Sequence, residues 1–253
     1  MIGNEVILEC KGRLANQILC WANARYVLAS IVVNRPLVIN YAIDRSRVSF
    51  PGADCRVVCD TDSLRRVTQE EITDCAEPCL WVWEDVYREL NVPGLQQILS
   101  TIKVHEGFAS SIVHYAGNAR CVGIHFRCGD YVKPELIEDE NYPFIRGGSE
   151  YFLSAIDHCM RIDPSSVFFL STDGDDDDVR CIYDRFSYMM DRLIVGRKED
   201  SLFDMFCLSK CRFIIGSNST FTEVAKHIGS VPAIRPDMDQ SEAIQILSRL
   251  QIL

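Results

Sequence analysis

Five short apolar runs in the second half of the chain, Cys121–Phe126, Val167–Leu170, Arg192–Val195, Arg212–Ile215 and Val231–Ile234, alternate with segments of helix length. This alternation restricts the fold more than any other feature. Such runs suit buried strands and are too short for buried helices. Between them, Tyr151–Ile162, Asp176–Met189, Ser201–Leu208 and Ser219–Ile228 repeat apolar residues with helical spacing, and Ser219 or Thr220 is placed to cap the last. Strands joined through helices lie parallel, so a sheet with helices on both faces is expected. The N-terminal half opens the same way, with a strand at Val6–Cys10, a loop at Gly12–Asn16, a helix at Gln17–Ser30 and a strand at Leu37–Tyr41. From Ser46 to Gly117 the pattern is less regular, apart from an amphipathic stretch at Leu95–Val104. The fold class expected is α/β with two domains, residues 1–117 and 118–253, divided where Gly117 and Asn118 interrupt the pattern before a strong strand.

A chain of 253 residues can bury a full core, and 47 % hydrophobic with 25 % charged residues is globular usage. With 26 basic against 36 acidic residues the net charge is −10, which leaves no basic stripe for a nucleic-acid backbone. A small anion is still bindable, because salt screens the distant negative field over roughly 8 Å. No stretch approaches the roughly 20 apolar residues of a membrane helix, and the opening MIGNEVILEC lacks a basic segment and a cleavage site. No membrane insertion is expected. Of twelve cysteines, Cys10, Cys20, Cys121 and Cys159 lie in apolar runs and read as reduced, buried side chains. Cys55-x3-Cys59 and Cys75-x3-Cys79 are looser than the pairs of a zinc ribbon, so zinc and an extracellular disulfide framework are the lesser alternatives.

Four segments place polar side chains where an open α/β sheet binds ligands, at the carboxyl ends of strands. In CVGIHFRCGDY, period-two alternation puts His125 and Arg127 on one face of the strand and Phe126 on the other. The guanidinium fork suits a diphosphate, and an ion pair with Asp130 is the competing reading. FFLSTDGDDDD ends a strand at Asp173, an acceptor for two N–H donors of a base edge. Its Asp173-Gly174-Asp175 also fits a loose metal pattern, while the aspartate run reads most simply as a solvated helix start. RFIIGSNSTFTEVAKHI runs from a strand through Asn218, Ser219 and Thr220 into a helix, which is either an anion site or an ordinary cap. Asn218-Ser219-Thr220 is also a glycosylation sequon. Finally, KGRLANQ joins strand to helix through Gly12, Arg13 and Asn16.

Together these segments resemble the inverting fucosyltransferase superfamily, most closely its α-1,2 branch, with the α-1,6 and protein O-fucosyltransferases as relatives. KGRLANQ is similar to that family's Gly-x-x-x-Asn-Gln opening, VGIHFRCGDYV to its His-x-Arg-Arg-Gly-Asp-Tyr motif, FFLSTD to its Ser/Thr-Asp strand end, and IIGSNSTF to its Asn-Ser-Thr-Phe turn. The resemblance implies two Rossmann-like units, glycosyltransferase-B-like, with the acceptor side and cleft closure in the first and GDP-sugar binding in the second. It implies inverting transfer of fucose from GDP-fucose to a glycan hydroxyl without a metal or other cofactor. On this resemblance Arg127 binds the β-phosphate, His125 and Asp173 hold the guanosine, and the turn of Asn218, Ser219 and Thr220 binds the diphosphate. Asn16, with Gly12 and Arg13 beside it, closes the cleft from across. Asp130, Glu84 and Asp85 are the carboxylates available as a base. A cytoplasmic location is expected, with a Golgi lumenal domain lacking its anchor as the alternative. Three departures stand out: Cys128 occupies the place of a second arginine, Glu223 and Val224 replace an aromatic pair, and the chain is shorter than typical members. Another nucleotide-sugar transferase, a silent GDP-sugar or glycan-binding module and a zinc-stapled domain are the rival readings.

Overall fold

The computed structural model describes residues 5–10, 13–30, 36–41, 43–55, 64–67, 71, 75, 77, 79–83, 94–128, 149–236, 238, 239, 243, 245 and 246. The chain divides into two compact units, Met1–Ala109 and Ser110–Leu253. The division falls inside a helix, α3 (Glu106–Ala116).

In the first unit, β1 (Val6–Cys10), α1 (Leu14–Ser30), β2 (Leu37–Ile39), β4 (Ala53–Cys55), β5 (Arg65–Val67) and β6 (Cys79–Trp83) form a five-stranded sheet ordered β4-β2-β1-β6-β5 with its first crossover helix. Every pairing in it is parallel. The Leu95–Val104 stretch separates into helix α2 (Leu95–Ser100) and strand β7 (Lys103–Val104), which pairs antiparallel with β3 (Val48–Ser49). From Leu14 to Ala24 the residues of α1 are buried almost all round, and Trp21 packs edge-on against Phe50 at 5.0 Å. Such a helix gains its stability from tertiary burial, since an isolated helix of this length is marginal in water.

The second unit runs β8 (Cys121–Phe126), α4 (Ser149–Ile162), β9 (Val167–Thr172), α5 (Arg180–Phe186), β10 (Leu193–Val195), α6 (Ser201–Leu208), β11 (Phe213–Gly216), α7 (Thr220–Gly229) and β12 (Ala233–Ile234). Its sheet is parallel, with order β10-β9-β8-β11-β12. From β8 the chain steps outward through β9 to β10, then returns to the other side of β8. The carboxyl ends of β8 and β11 therefore flank the point where strand order reverses, and ligands of open α/β sheets sit there. Alternation sorts β8 cleanly. Val122, Ile124 and Phe126 join a core with Phe152 and Ile156 of α4 and Phe186 of α5, whereas Gly123 lies against Leu208 and Cys211 on the opposite face.

The helix expected over Asp176–Met189 is shorter at both ends, running from Arg180 to Phe186. The Asp175 carboxylate accepts from the N–H groups of Asp177 and Asp178, and Asp178 accepts from the Asp175 N–H at 2.9 Å. Those carboxylates close a turn before α5, because aspartate competes with the helix for backbone donors. Cys20 departs from its expected state, being disulfide-bonded. Cys121 and Cys159 are buried thiols as expected, and Cys75 and Cys79 are buried thiols too, whereas the side chains of Cys10 and Cys55, and Cys59, lie outside the described residues. Among the described residues no helix is long and apolar enough to cross a membrane.

Candidate functional site

Register brings the chemically active strand ends side by side: Gly216 of β11 lies opposite His125, and Thr172 of β9 opposite Phe126. Beyond the strands a side-chain ladder continues the pairing. The Ser217 N–H donates to the His125 carbonyl at 3.0 Å, the Ser217 hydroxyl donates to the same carbonyl at 3.1 Å, and it accepts from the Arg127 N–H at 3.0 Å. On the other side, Asp173 Oδ1 accepts from the Cys128 N–H at 2.8 Å. The segment after β8 is thereby held from both neighbours.

His125 is buried, and its tautomer follows from its partner. The Thr222 hydroxyl gives its one proton to the Ser217 carbonyl at 3.0 Å, so at 2.7 Å it accepts from His125 Nδ1–H. The ring is neutral, with Nε2 left as an acceptor. Burial first, then the Arg127 charge, pushes its pKa down to about 3 against the opposing effect of Asp173. Phe221 stacks on the imidazole at 4.7 Å. A Cβ at position 216 would collide with Thr222, so this approach of α7 to the sheet requires Gly216.

Arg127 pairs with Asp173, Nε to Oδ2 at 3.3 Å, with both side chains mostly buried. The two oxygens of Asp173 hold Arg127 and the Cys128 backbone, and an ionised carboxylate has further lone pairs for the N–H donors of a base edge. Asp130, the ion-pair partner weighed for Arg127 from the sequence, lies outside the described residues, as do Gly12, Glu84 and Asp85.

Ser219 is the N-cap of α7, its hydroxyl oxygen accepting from the Phe221 N–H at 3.2 Å. The capping reading of that hydroxyl is therefore realised, while Thr220 begins the helix beside it. A capped helix start still directs N–H dipoles and positive potential outward. Asn218 is buried, which closes the sequon to modification in the folded chain. Asn16 and Arg13 belong to the first unit: Asn16 is buried in α1, and the Arg13 carbonyl accepts from the Gln17 N–H at 3.2 Å.

Cys128 continues the alternation of β8 and joins Phe126 in the core cluster beneath α4 and α5. It is 1 % exposed, and burial pushes its thiol up to about 12. Position 128 thus looks away from the His125 and Arg127 face. A cysteine there takes no charge out of that face.

One acidic residue escaped the sequence reading. Asp204, in the first turn of α6, is buried and accepts from the Arg197 N–H at 2.7 Å and from the Ser171 hydroxyl. Burial pushes its pKa up to about 6. It sits close against Gly196, where an added Cβ would lie 2.6 Å from both carboxylate oxygens. The available signal was Asp200-x3-Asp204 after the β10 run: Asp200 caps α6 by accepting from the Phe203 N–H, which turns Asp204 toward the strand ends.

No family model matches the sequence, and no curated protein does. Solved structures do match. POFUT1 in complex with GDP is 11 % identical, over 93 % of this chain and 99 % of that chain, with a TM-score of 0.62. POFUT1 in complex with GDP-fucose is 11 % identical over 93 % and 98 %, with a TM-score of 0.60. A mutant of Arabidopsis thaliana FUT1 in complex with GDP is 13 % identical over 91 % and 70 %, at 0.53, and E. coli ADP-heptose heptosyltransferase II is 10 % identical over 91 % and 84 %, at 0.53. At these identities the likeness is one of fold: this chain has two Rossmann-like units of the glycosyltransferase-B kind.

Proposed function

We propose that this chain is a glycosyltransferase that moves fucose from GDP-fucose to a glycan hydroxyl with inversion, without a metal, and with an α-1,2-type linkage. One observation carries the reading: His125, Arg127, Asp173 and the Ser219 helix start converge at the carboxyl ends of β8, β9 and β11, where strand order reverses. The likeness to POFUT1 with bound GDP-fucose supports the donor, and the motif resemblance supports the linkage.

In this reading Arg127 and the N–H groups of α7 face the diphosphate. Cleavage of the bond from the sugar C1 to the phosphate oxygen leaves electrons on the leaving diphosphate, so negative charge grows beside a guanidinium already oriented by Asp173. Preorganised donors of this kind contribute about 3–4 kcal/mol each to transition-state stabilisation. Neutral His125 presents Nε2 as an acceptor for a base N–H. Thermal-shift titration against GDP, ADP, UDP and CDP tests the donor class: stabilisation by GDP alone is expected, because the shift grows with ligand concentration over Kd. Transfer that persists in a chelator, with a single anomeric product, tests the metal and stereochemical parts. The heptosyltransferase likeness favours a second reading, a transferase for another nucleotide-sugar, which a shift with ADP instead of GDP would select. GDP binding with neither fucose release nor transfer would select a silent binding module.

A further inference from the structure

Helix α7 presses Phe221 onto the His125 ring and Thr222 onto its Nδ1, and the next residue, Glu223, points about 100° further round the helix. Glu223 is 6 % exposed and surrounded by basic side chains. Its Oε1 accepts from Arg235 Nη1 at 2.5 Å, and its Oε2 lies 3.4 Å from Lys226 Nζ and 3.6 Å from His227 Nε2. Arg235 directly follows the edge strand β12, so one carboxylate fastens the first turn of α7 to the end of the sheet. Burial opposes its charge, but the hydrogen bond from His227 and the charges of Arg235 and Lys226 hold its pKa down to about 2.

A carboxylate in the first turn of a helix is a poor choice if charge is its purpose and the same helix start faces a diphosphate, since like charges repel. Its burial among three basic groups indicates a geometric purpose. We infer that Glu223, through Arg235, is a positioning residue for the nucleotide site, setting the rotation of α7 that brings Phe221 and Thr222 onto His125. The ligand in this inference rests on the GDP-sugar reading; the geometry does not.

Glu223→Gln keeps the side-chain shape and removes the charge. In the ligand-free protein, nitrogen-15 spectra of the His125 imidazole are expected to show the Nδ1–H tautomer in the wild type and a tautomer mixture in the variant. In GDP titrations, loss of a negative charge alone would tighten binding, whereas loss of positioning weakens it by about tenfold. Arg235→Met added to Glu223→Gln removes the stranded cation without restoring the tether, so the tautomer mixture at His125 is expected to persist; a return to the Nδ1–H signal would overturn the inference. Should Glu223→Gln fail to fold, Arg235→Lys, which keeps the charge and shortens the reach, is judged by the same His125 signal. Unchanged His125 signals together with equal or tighter GDP binding would overturn the inference. A wild type with the expected His125 signal and no affinity for GDP would overturn the nucleotide reading instead, leaving the His125 signal to decide the role of Glu223.

Discussion

The two five-stranded sheets of this protein have the same plan and different edges. Each is five-stranded and parallel, with its first strand, β1 or β8, in the centre. After β1 comes α1, a helix with no acidic residue in its first turn, no basic residue in its last, and buried side chains from Leu14 to Ala24. After β8 it enters a lattice of polar contacts in which Ser217, Asp173 and Thr222 fix His125, Arg127 and the Cys128 N–H. The difference teaches that a central parallel strand supplies a location, while cross-strand hydroxyl and carboxylate partners turn that location into a site. In the second unit those partners come from strands on both sides of β8, which only the reversal of strand order allows.

Substitutions can break or sharpen the contrast. Arg127→Ala is expected to lower transfer by about 10²–10³-fold with the fold retained, as for loss of a preorganised donor; near-normal turnover measured alongside an unchanged unfolding midpoint would remove the claim that β8 carries the chemistry. Next in size, Cys128→Arg places a charge in the core under α4 and α5 and should destabilise the chain by about 3–5 kcal/mol in denaturant unfolding. If position 128 instead faces the crevice, that variant will fold normally and bind GDP more tightly. Thr222→Val leaves His125 Nδ1–H and the Ser217 carbonyl without their shared hydroxyl, a loss of about 1–3 kcal/mol in stability, visible as a lower urea midpoint at constant slope.

Acid titration probes the same edge. His125 has its pKa lowered from 6.5 to about 3, so between those values the unfolded chain binds a proton that the native chain does not. Stability therefore falls as pH falls through that window, by at most about 1.4 kcal/mol per unit for one proton. Glu223 acts in the same direction: its contribution is complete above 4.5 and lost toward 2. Asp204, raised from 3.8 to about 6, acts oppositely, since the native chain holds its proton more tightly and loses stability as pH rises through that range. His125→Gln should flatten the fall in urea midpoint between pH 6.5 and about 5, and an unchanged slope would contradict a buried neutral imidazole. The smallest effect is reserved for the first unit, where Arg13→Ala, at an exposed position, should change stability by less than about 0.5 kcal/mol; a larger loss would show that the first sheet's edge is also built for precision.

Much of this was legible in the residues. The strand expected at Cys121–Phe126 and the helix at Ser201–Leu208 have the bounds found in the structure, because each is a compact apolar run with clear flanking signals. The helix through the aspartate run was overextended, since periodicity does not report that Asp175 and Asp178 bind backbone donors locally. Cys20 read as a buried thiol because sequence shows an apolar neighbourhood and conceals which cysteines meet. Asp204 was missed for a related reason: it reaches Ser171, which precedes it in the chain and meets it only through packing of α6 near β9.

The sequence by itself determined the order of strands and helices in the second unit, the face of β8 that carries His125 and Arg127, and the presence of a capped helix after β11, but not the elements between Ser46 and Gly117. Those properties depend on local periodicity and on side chains acting within a few residues of their own backbone. The tertiary structure alone decided that Asp173 orients Arg127, that Thr222 sets the tautomer of His125, that Cys128 belongs to the core and that Glu223 meets Arg235. The first two contacts span 46 and 97 residues of chain, and the third follows only once α4 and α5 cover that face of the sheet. Glu223 and Arg235 lie closer in sequence, but they meet only because β12 returns beside β11.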